Sequence, residues 1–233
     1  MQPSLPATPP AGADPALVSA LAAYIPETLA DELAGLAEAG GALPVAQARR
    51  LECVTMMVDI TGFTPLCEAL ARTGREGAER VTELINSFFS QALRPVRELG
   101  GVVTKFGGDA FQAFFERGPG EPWAEPALRA LRSAWVLQSV VNEYAPVAVA
   151  GPDGAQEFRL AAKVGLSAGT LALFTVGDPA LHCDVQVAGP AANQAADAEH
   201  EAAKGDVMVH RALLERCGEL AGATFGERRG PCV

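Results

Sequence analysis

Residues 100–115 read GGVVTKFGGDAFQAFF, and the fold turns on them. Two apolar, β-prone runs, 102–106 and 110–115, flank Gly107, Gly108 and Asp109. A glycine pair between such runs can supply the positive φ of a tight hairpin turn. The expected product is a buried ribbon whose tip carries one carboxylate, Asp109, flanked by backbone without side chains. Such a tip leaves room for a large anion or a metal. Taken alone, the stretch reads more simply as a structural hairpin with a polar turn.

A second stretch alters that balance. Residues 51–60, LECVTMMVDI, form a strand too apolar for a surface, and Asp59 stands near its end. Thr61, Gly62, Phe63 and Thr64 lead out of it, and a helix is expected from residue 65 to 72. In a β-α-β-β arrangement the first strand commonly lies beside the later hairpin, so Asp59 and Asp109 can emerge at one end of a sheet. Two convergent carboxylates without a Cys/His cluster suit a hard divalent cation such as Mg²⁺. The amides of residues 61–64, at a helix start, offer an anion site beside it. A metal pair beside a phosphate cradle is the equipment of phosphoryl transfer. The alternative is that Asp59 caps a helix and Asp109 only makes a turn.

The rest of the chain bounds these readings. Its 233 residues are 49% hydrophobic and 20% charged, the composition of a globular protein with a proper core. The formal net charge of −10 argues against a nucleic-acid partner or an anionic membrane surface. Five scattered cysteines read as reduced thiols, hence a cytoplasmic protein without a zinc site. No signal peptide and no membrane span is expected.

Residues 1–14 read as a disordered leader, and 15–50 as a helical extension broken near Pro26 and linked to the core. The catalytic domain is expected over 51–233. Within it, 76–99 is an amphipathic helix with Ala78, Val81, Leu84, Ile85, Phe88, Phe89, Leu93 and Val96 inward. A second helix is expected over 127–144, and a loop over 145–156. Two strands, 158–168 and 170–177, are expected to meet at Gly169, followed by a short strand at 183–187. A helix opens at Gly189 and Pro190 and runs to Lys204. A last strand at 206–210 and a last helix at 211–217 complete an α+β fold: a ferredoxin-like, mainly antiparallel sheet with helices on one face, in a βααββαβ order.

MMVDITGFT followed by GGVVTKFGGDAFQAFF resembles a class III nucleotidyl cyclase domain. KVGLSAG (163–169) resembles that family's basic residue and glycine-spaced strand, and VAGPAANQAADAE (187–199) its asparagine-bearing helix. The four motifs span about 51–209, and they look closest to the first catalytic half of the soluble, bicarbonate-responsive adenylyl cyclases. The resemblance implies head-to-tail pairs of domains with clefts between them. Asp59 and Asp109 would bind two Mg²⁺ ions, or Mn²⁺ in their place, with Ile60 lending its carbonyl. Thr61, Gly62, Phe63, Thr64 and Lys163 would hold the triphosphate of ATP, whose 3′-hydroxyl attacks the α-phosphate to give cyclic AMP and pyrophosphate. Lys105 and Gln186 match the base-reading positions, and Asn193 the ribose-steadying one.

One departure stands out. Four residues after Asn193, where the family carries arginine, this chain has Asp197, and a carboxylate there repels phosphate. The helix also lacks the arginine of a bicarbonate site, with Ala196 near that position. In this geometry the aspartates and the asparagine–arginine pair of one domain serve opposite clefts. The expected protein is therefore the metal-binding half of an adenylyl cyclase, completed by a complementary domain or by weak homodimerisation. Two rivals remain: a degenerate domain that only dimerises and regulates, and a diguanylate cyclase, whose GGDEF hairpin GGDAF approximates.

Overall fold

The computed structural model describes residues 48–151, 154–178, 182–218, 226 and 229–233. The expected leader and most of the helical extension lie outside them. Strand β1 (Ala48–Thr61) starts three residues earlier than its apolar run suggests. Helices α1 (Phe63–Ala71) and α2 (Arg75–Glu98) follow, then strands β2 (Val102–Gly107) and β3 (Ala110–Glu116) and helix α3 (Ala124–Glu143). Strands β4 (Val147–Gly151), β5 (Gly154–Phe158), β6 (Ala161–Asp178) and β7 (His182–Ala188) lead to α4 (Pro190–Glu201), β8 (Val207–Val209) and α5 (Arg211–Cys217).

The main sheet has the order β2-β3-β1-β6-β7, antiparallel throughout, with β8 added parallel to β6. The α+β, mainly antiparallel architecture is thus the one expected. Alternation along β1 divides its side chains between two cores. Val54, Met56, Val58 and Ile60 face the larger one, with Phe88, Ala92 and Val96 of α2 and Ala130, Ala134 and Leu137 of α3. Leu51 and Cys53 face the other way, onto a smaller cluster with Phe114, Leu171, Leu173, Val185 and Ala192 of α4. Helix α4 therefore lies across the face opposite α2 and α3, whereas the helices were expected on one face only. Val102 and Val187, from the two edge strands, pack against that same cluster, so the sheet is curled toward α4.

Glycine makes the α4 seating possible. A Cβ on Gly165 would fall 2.1 Å from the Ala195 carbonyl oxygen and 2.2 Å from the Glu199 amide nitrogen. Only a bare backbone lets the helix approach so closely. Gly169, the expected break between two strands, is instead inside the continuous β6, opposite Cys53, with Ala191 of α4 above it.

Other boundaries differ for local reasons. Residues 145–156, expected as a loop, mostly form the β4–β5 hairpin, a small separate sheet. The ribbon is not buried as a whole: β3 is, but β2 is an edge strand and its Phe106 is 51% exposed. Helix α2 turns Ala78 outward and buries Gly77, where a Cβ would meet the Leu70 carbonyl oxygen at 1.8 Å. Helix α4 stops at Glu201, three residues short of Lys204.

Candidate active site

The site forms where β1 ends. Register places Asp59 opposite Ala110 on β3 and opposite Lys163 on β6. Directly opposed residues share a face, so Asp59 and Lys163 both project on the α4 side. The β2–β3 turn closes with Gly108 at φ 67°, and Asp109 follows. The Ile60 amide donates to the Asp109 carbonyl oxygen at 3.2 Å, fastening the turn to the end of β1. Nothing lies within 4 Å of a Cβ built on Gly107 or Gly108, so the tip is open. The two aspartates are thereby brought to one end of the sheet, both half-buried.

Their electrostatics reflect that closeness. Partial burial pushes the Asp59 carboxyl above the usual carboxylate range, and Glu199 and Asp109 push it further, against the opposing pull of Lys163. Like charges held together in this way are relieved by a cation. The donor set, two carboxylates beside the backbone carbonyl of Ile60, is all oxygen and suits Mg²⁺ or Mn²⁺. No group of three His, Cys, Asp or Glu side chains able to share an ion occurs among the described residues. An ion here would therefore complete its shell from water and ligand oxygens.

Helix α1 starts two residues earlier than expected, at Phe63. Gly62, at φ 91°, is the residue before α1, and its missing side chain admits the Arg159 carbonyl, which a Cβ would approach to 2.6 Å. Phe63 and Thr64 occupy the first turn, where amides have no carbonyl one turn back. Pro65, third in the helix, sacrifices no bond. The Thr64 hydroxyl donates to Asp109 Oδ2 at 2.7 Å, tying the start of α1 to the carboxylate. The Thr61 hydroxyl donates instead to the Ala161 carbonyl at 3.1 Å. Phe63 is buried against Phe88 and Phe89, and anchors the helix start.

The remaining expected residues are spread further. Lys163 is half-buried and paired with Glu199 on α4, Nζ to Oε1 at 2.9 Å. Lys105 is exposed on β2, opposite Gln112 and on the α4 side of the sheet. Gln186 alternates with the inward-facing Val185 and Val187, and its amide donates to Asp184 at 2.6 Å. Asn193 and Asp197, one turn apart, are both exposed on α4. Two contacts were not foreseen: the Thr64–Asp109 bond and the Lys163–Glu199 pair. Glu199 stands within the quoted helix motif, but only the tertiary placement of α4 on Gly165 brings it over Lys163.

A curled antiparallel sheet with this β-α-α-β-β-α-β core and paired carboxylates at one end has the fold of class III nucleotidyl cyclase catalytic domains. The chain is similar in sequence to adenylate cyclase type 10: 27% identity over 170 residues of the Oryctolagus cuniculus protein and 28% over 172 residues of the Homo sapiens protein. Each alignment takes in 70% of this chain and 10% of the relative, so the chain spans about a tenth of those proteins' length. Among solved structures, it is similar to adenylyl cyclase CyaB from P. aeruginosa, at 20% identity and TM-score 0.57, covering 72% of this chain and 81% of that one. A bacterial light-regulated adenylyl cyclase matches at 21% identity and TM-score 0.61, covering 88% and 55%. The guanylate cyclase domain of RhGC from Catenaria anguillulae, solved with GTP, matches at 19% and TM-score 0.54, covering 73% and 84%. No protein-family model matches the chain. No helix among the described residues is long and apolar enough to cross a membrane.

Proposed function

We propose that this chain is the metal-binding half of a class III adenylyl cyclase, forming cyclic AMP and pyrophosphate from ATP with a complementary domain. The observation that carries the reading is the convergence of Asp59 and Asp109 beside a glycine-led helix start, with Asp59 held above its usual range by partial burial first and by neighbouring carboxylates next. Those carboxylates and the Ile60 carbonyl would hold two Mg²⁺ ions, which supply charge neutralisation at the phosphates and acidify the attacking hydroxyl. The chain's own residues do the rest. Thr64 fixes Asp109 in place. The first-turn amides of Phe63 and Thr64 receive phosphate oxygens, and Lys163 adds a positive charge on the same face. Ile60 and Phe63, both buried, keep the strand end and helix start from shifting as the ligand enters.

ATP is favoured over GTP by the sequence similarity to adenylyl cyclases, while the structural relatives include enzymes of both kinds. Lys105 and Gln186 are the proposed base-reading residues of the opposite cleft. In a second reading the chain is a degenerate domain that dimerises and regulates. It is favoured by one observation, Asp197 exposed one turn from Asn193. Nothing favours the diguanylate alternative, and Ala110, paired with Asp59, stands where a GGDEF hairpin has glutamate.

Titrating Mg²⁺ with a non-hydrolysable ATP analogue separates the two readings. The wild type is expected to bind the pair of ligands together, and Asp59→Asn and Asp109→Asn to lose that binding. Equal binding by all three would overturn the metal assignment.

A further inference from the structure

Lys163 is not a free surface cation. Its side chain and that of Glu199 are 19% and 18% exposed, and they meet at 2.9 Å across the contact between β6 and α4. Leaving either charge unpaired at that depth would be costly. The contact is built by the backbone. Gly165, two residues along the strand from Lys163, receives the Glu199 amide so closely that no side chain fits between. Glu199 is thus delivered over Lys163 by the packing of the helix. Lys163 is also directly opposite Asp59 in the β1–β6 register, so the two side chains project from the same face of the sheet.

A lysine carries its charge on a flexible four-carbon stem, and fixing that stem costs conformational entropy each time a ligand is bound. An ammonium has three donors. One bond to Glu199 leaves two for a phosphate oxygen while the stem stays fixed. We infer that Glu199 is a positioning residue: it holds the Lys163 ammonium on the Asp59 side of the sheet, preset for the triphosphate. This rests on the proposed triphosphate site. Glu199 belongs to the same helix as Asn193 and Asp197, so the pair also joins the metal end of the sheet to the helix that faces the other cleft.

The test is a double-mutant cycle read by binding of a fluorescent ATP analogue with Mg²⁺, with thermal melting alongside. Glu199→Gln keeps the size of the side chain and removes its charge. It is expected to weaken binding about tenfold, the scale of one lost hydrogen bond to a charged group. Glu199→Asp is expected to recover part of the affinity. In a Lys163→Ala background, Glu199→Gln is expected to change affinity little, because Glu199 acts through Lys163. The same weakening by Glu199→Gln in both backgrounds would mean a purely structural role, and tighter binding would mean that Glu199 competes with the ligand; either overturns the inference. Binding that weakens in Lys163→Ala but is unchanged in Glu199→Gln overturns it while leaving the functional reading intact. A wild type that binds no Mg²⁺-dependent analogue overturns both.

Discussion

The approach of Asp59 and Asp109 was legible in the sequence because Asp59 stands near the end of an apolar strand and Asp109 at the tip of a hairpin expected beside it. Their chemistry follows from what surrounds them. Asp59 is raised by burial first and by Glu199 and Asp109 next, so its charged form opposes folding when no cation is present. That cost is absent below the ordinary carboxylate range and grows as pH rises through the raised pKa. Without metal, Asp59→Asn should therefore match or slightly exceed wild-type stability at neutral pH, by less than about 1 kcal/mol because the site is half-open to water. The difference should vanish in acid. With Mg²⁺, the order should reverse, the variant losing the metal-linked stabilisation. Melting of both proteins with and without Mg²⁺ checks this; a variant that is strongly destabilised without metal would contradict it. The partners of these residues were less legible. Neither Thr64 reaching Asp109 nor Glu199 reaching Lys163 has a sequence signature, because both depend on segments more than thirty residues apart meeting in space.

Among elements, the misreadings share a cause. Gly169 looks like a strand break, yet in a sheet covered by a helix a glycine marks close approach. Gly165 is the stronger instance. Gly165→Ala should destabilise the protein by about 2–3 kcal/mol, since the clash is with backbone and not with a flexible side-chain end. A melting temperature lowered by roughly 4–10 °C would accord with that, and an unchanged one would mean that α4 can slide. The β4–β5 hairpin was missed because its five-residue strands are short and mostly exposed, with little alternation to read. At the start of α5, His210 is buried and its Nδ1 accepts from the Ala212 amide at 3.2 Å. Burial and then Arg211 lower its pKa, against the pull of Asp197 and Glu215. A neutral native histidine means stability is full above about pH 6.5, the ordinary value, and falls as pH drops through and below it. His210→Asn, which keeps a capping acceptor that does not titrate, should flatten that fall. Parallel pH profiles for the two proteins would show that the cap does not carry it.

At the scale of the whole molecule, the fold was readable from the order of its strands and helices, but the curl of the sheet was not. Curling results from β2 and β7 sharing a core with α4, a contact between the two edges. Asn193 and Asp197 remain exposed on α4, as residues facing a second domain would be. In a homodimer both transition-state positions would hold Asp197. Losing one oriented donor costs about 10²–10³ in rate, and a carboxylate adds repulsion. The isolated chain should therefore be a poor cyclase, and Asp197→Arg should raise its homodimeric activity by up to that factor.

The central claim is tested most directly by cyclic AMP formation when the purified chain is mixed with a cyclase domain that carries the asparagine–arginine pair but lacks both metal aspartates. Neither protein alone should turn over ATP appreciably with Mg²⁺. The mixture should, and Asp59→Asn in this chain should abolish the activity. A mixture that stays inactive, or one whose activity is indifferent to Asp59, would contradict the assignment of this chain as the metal-binding half.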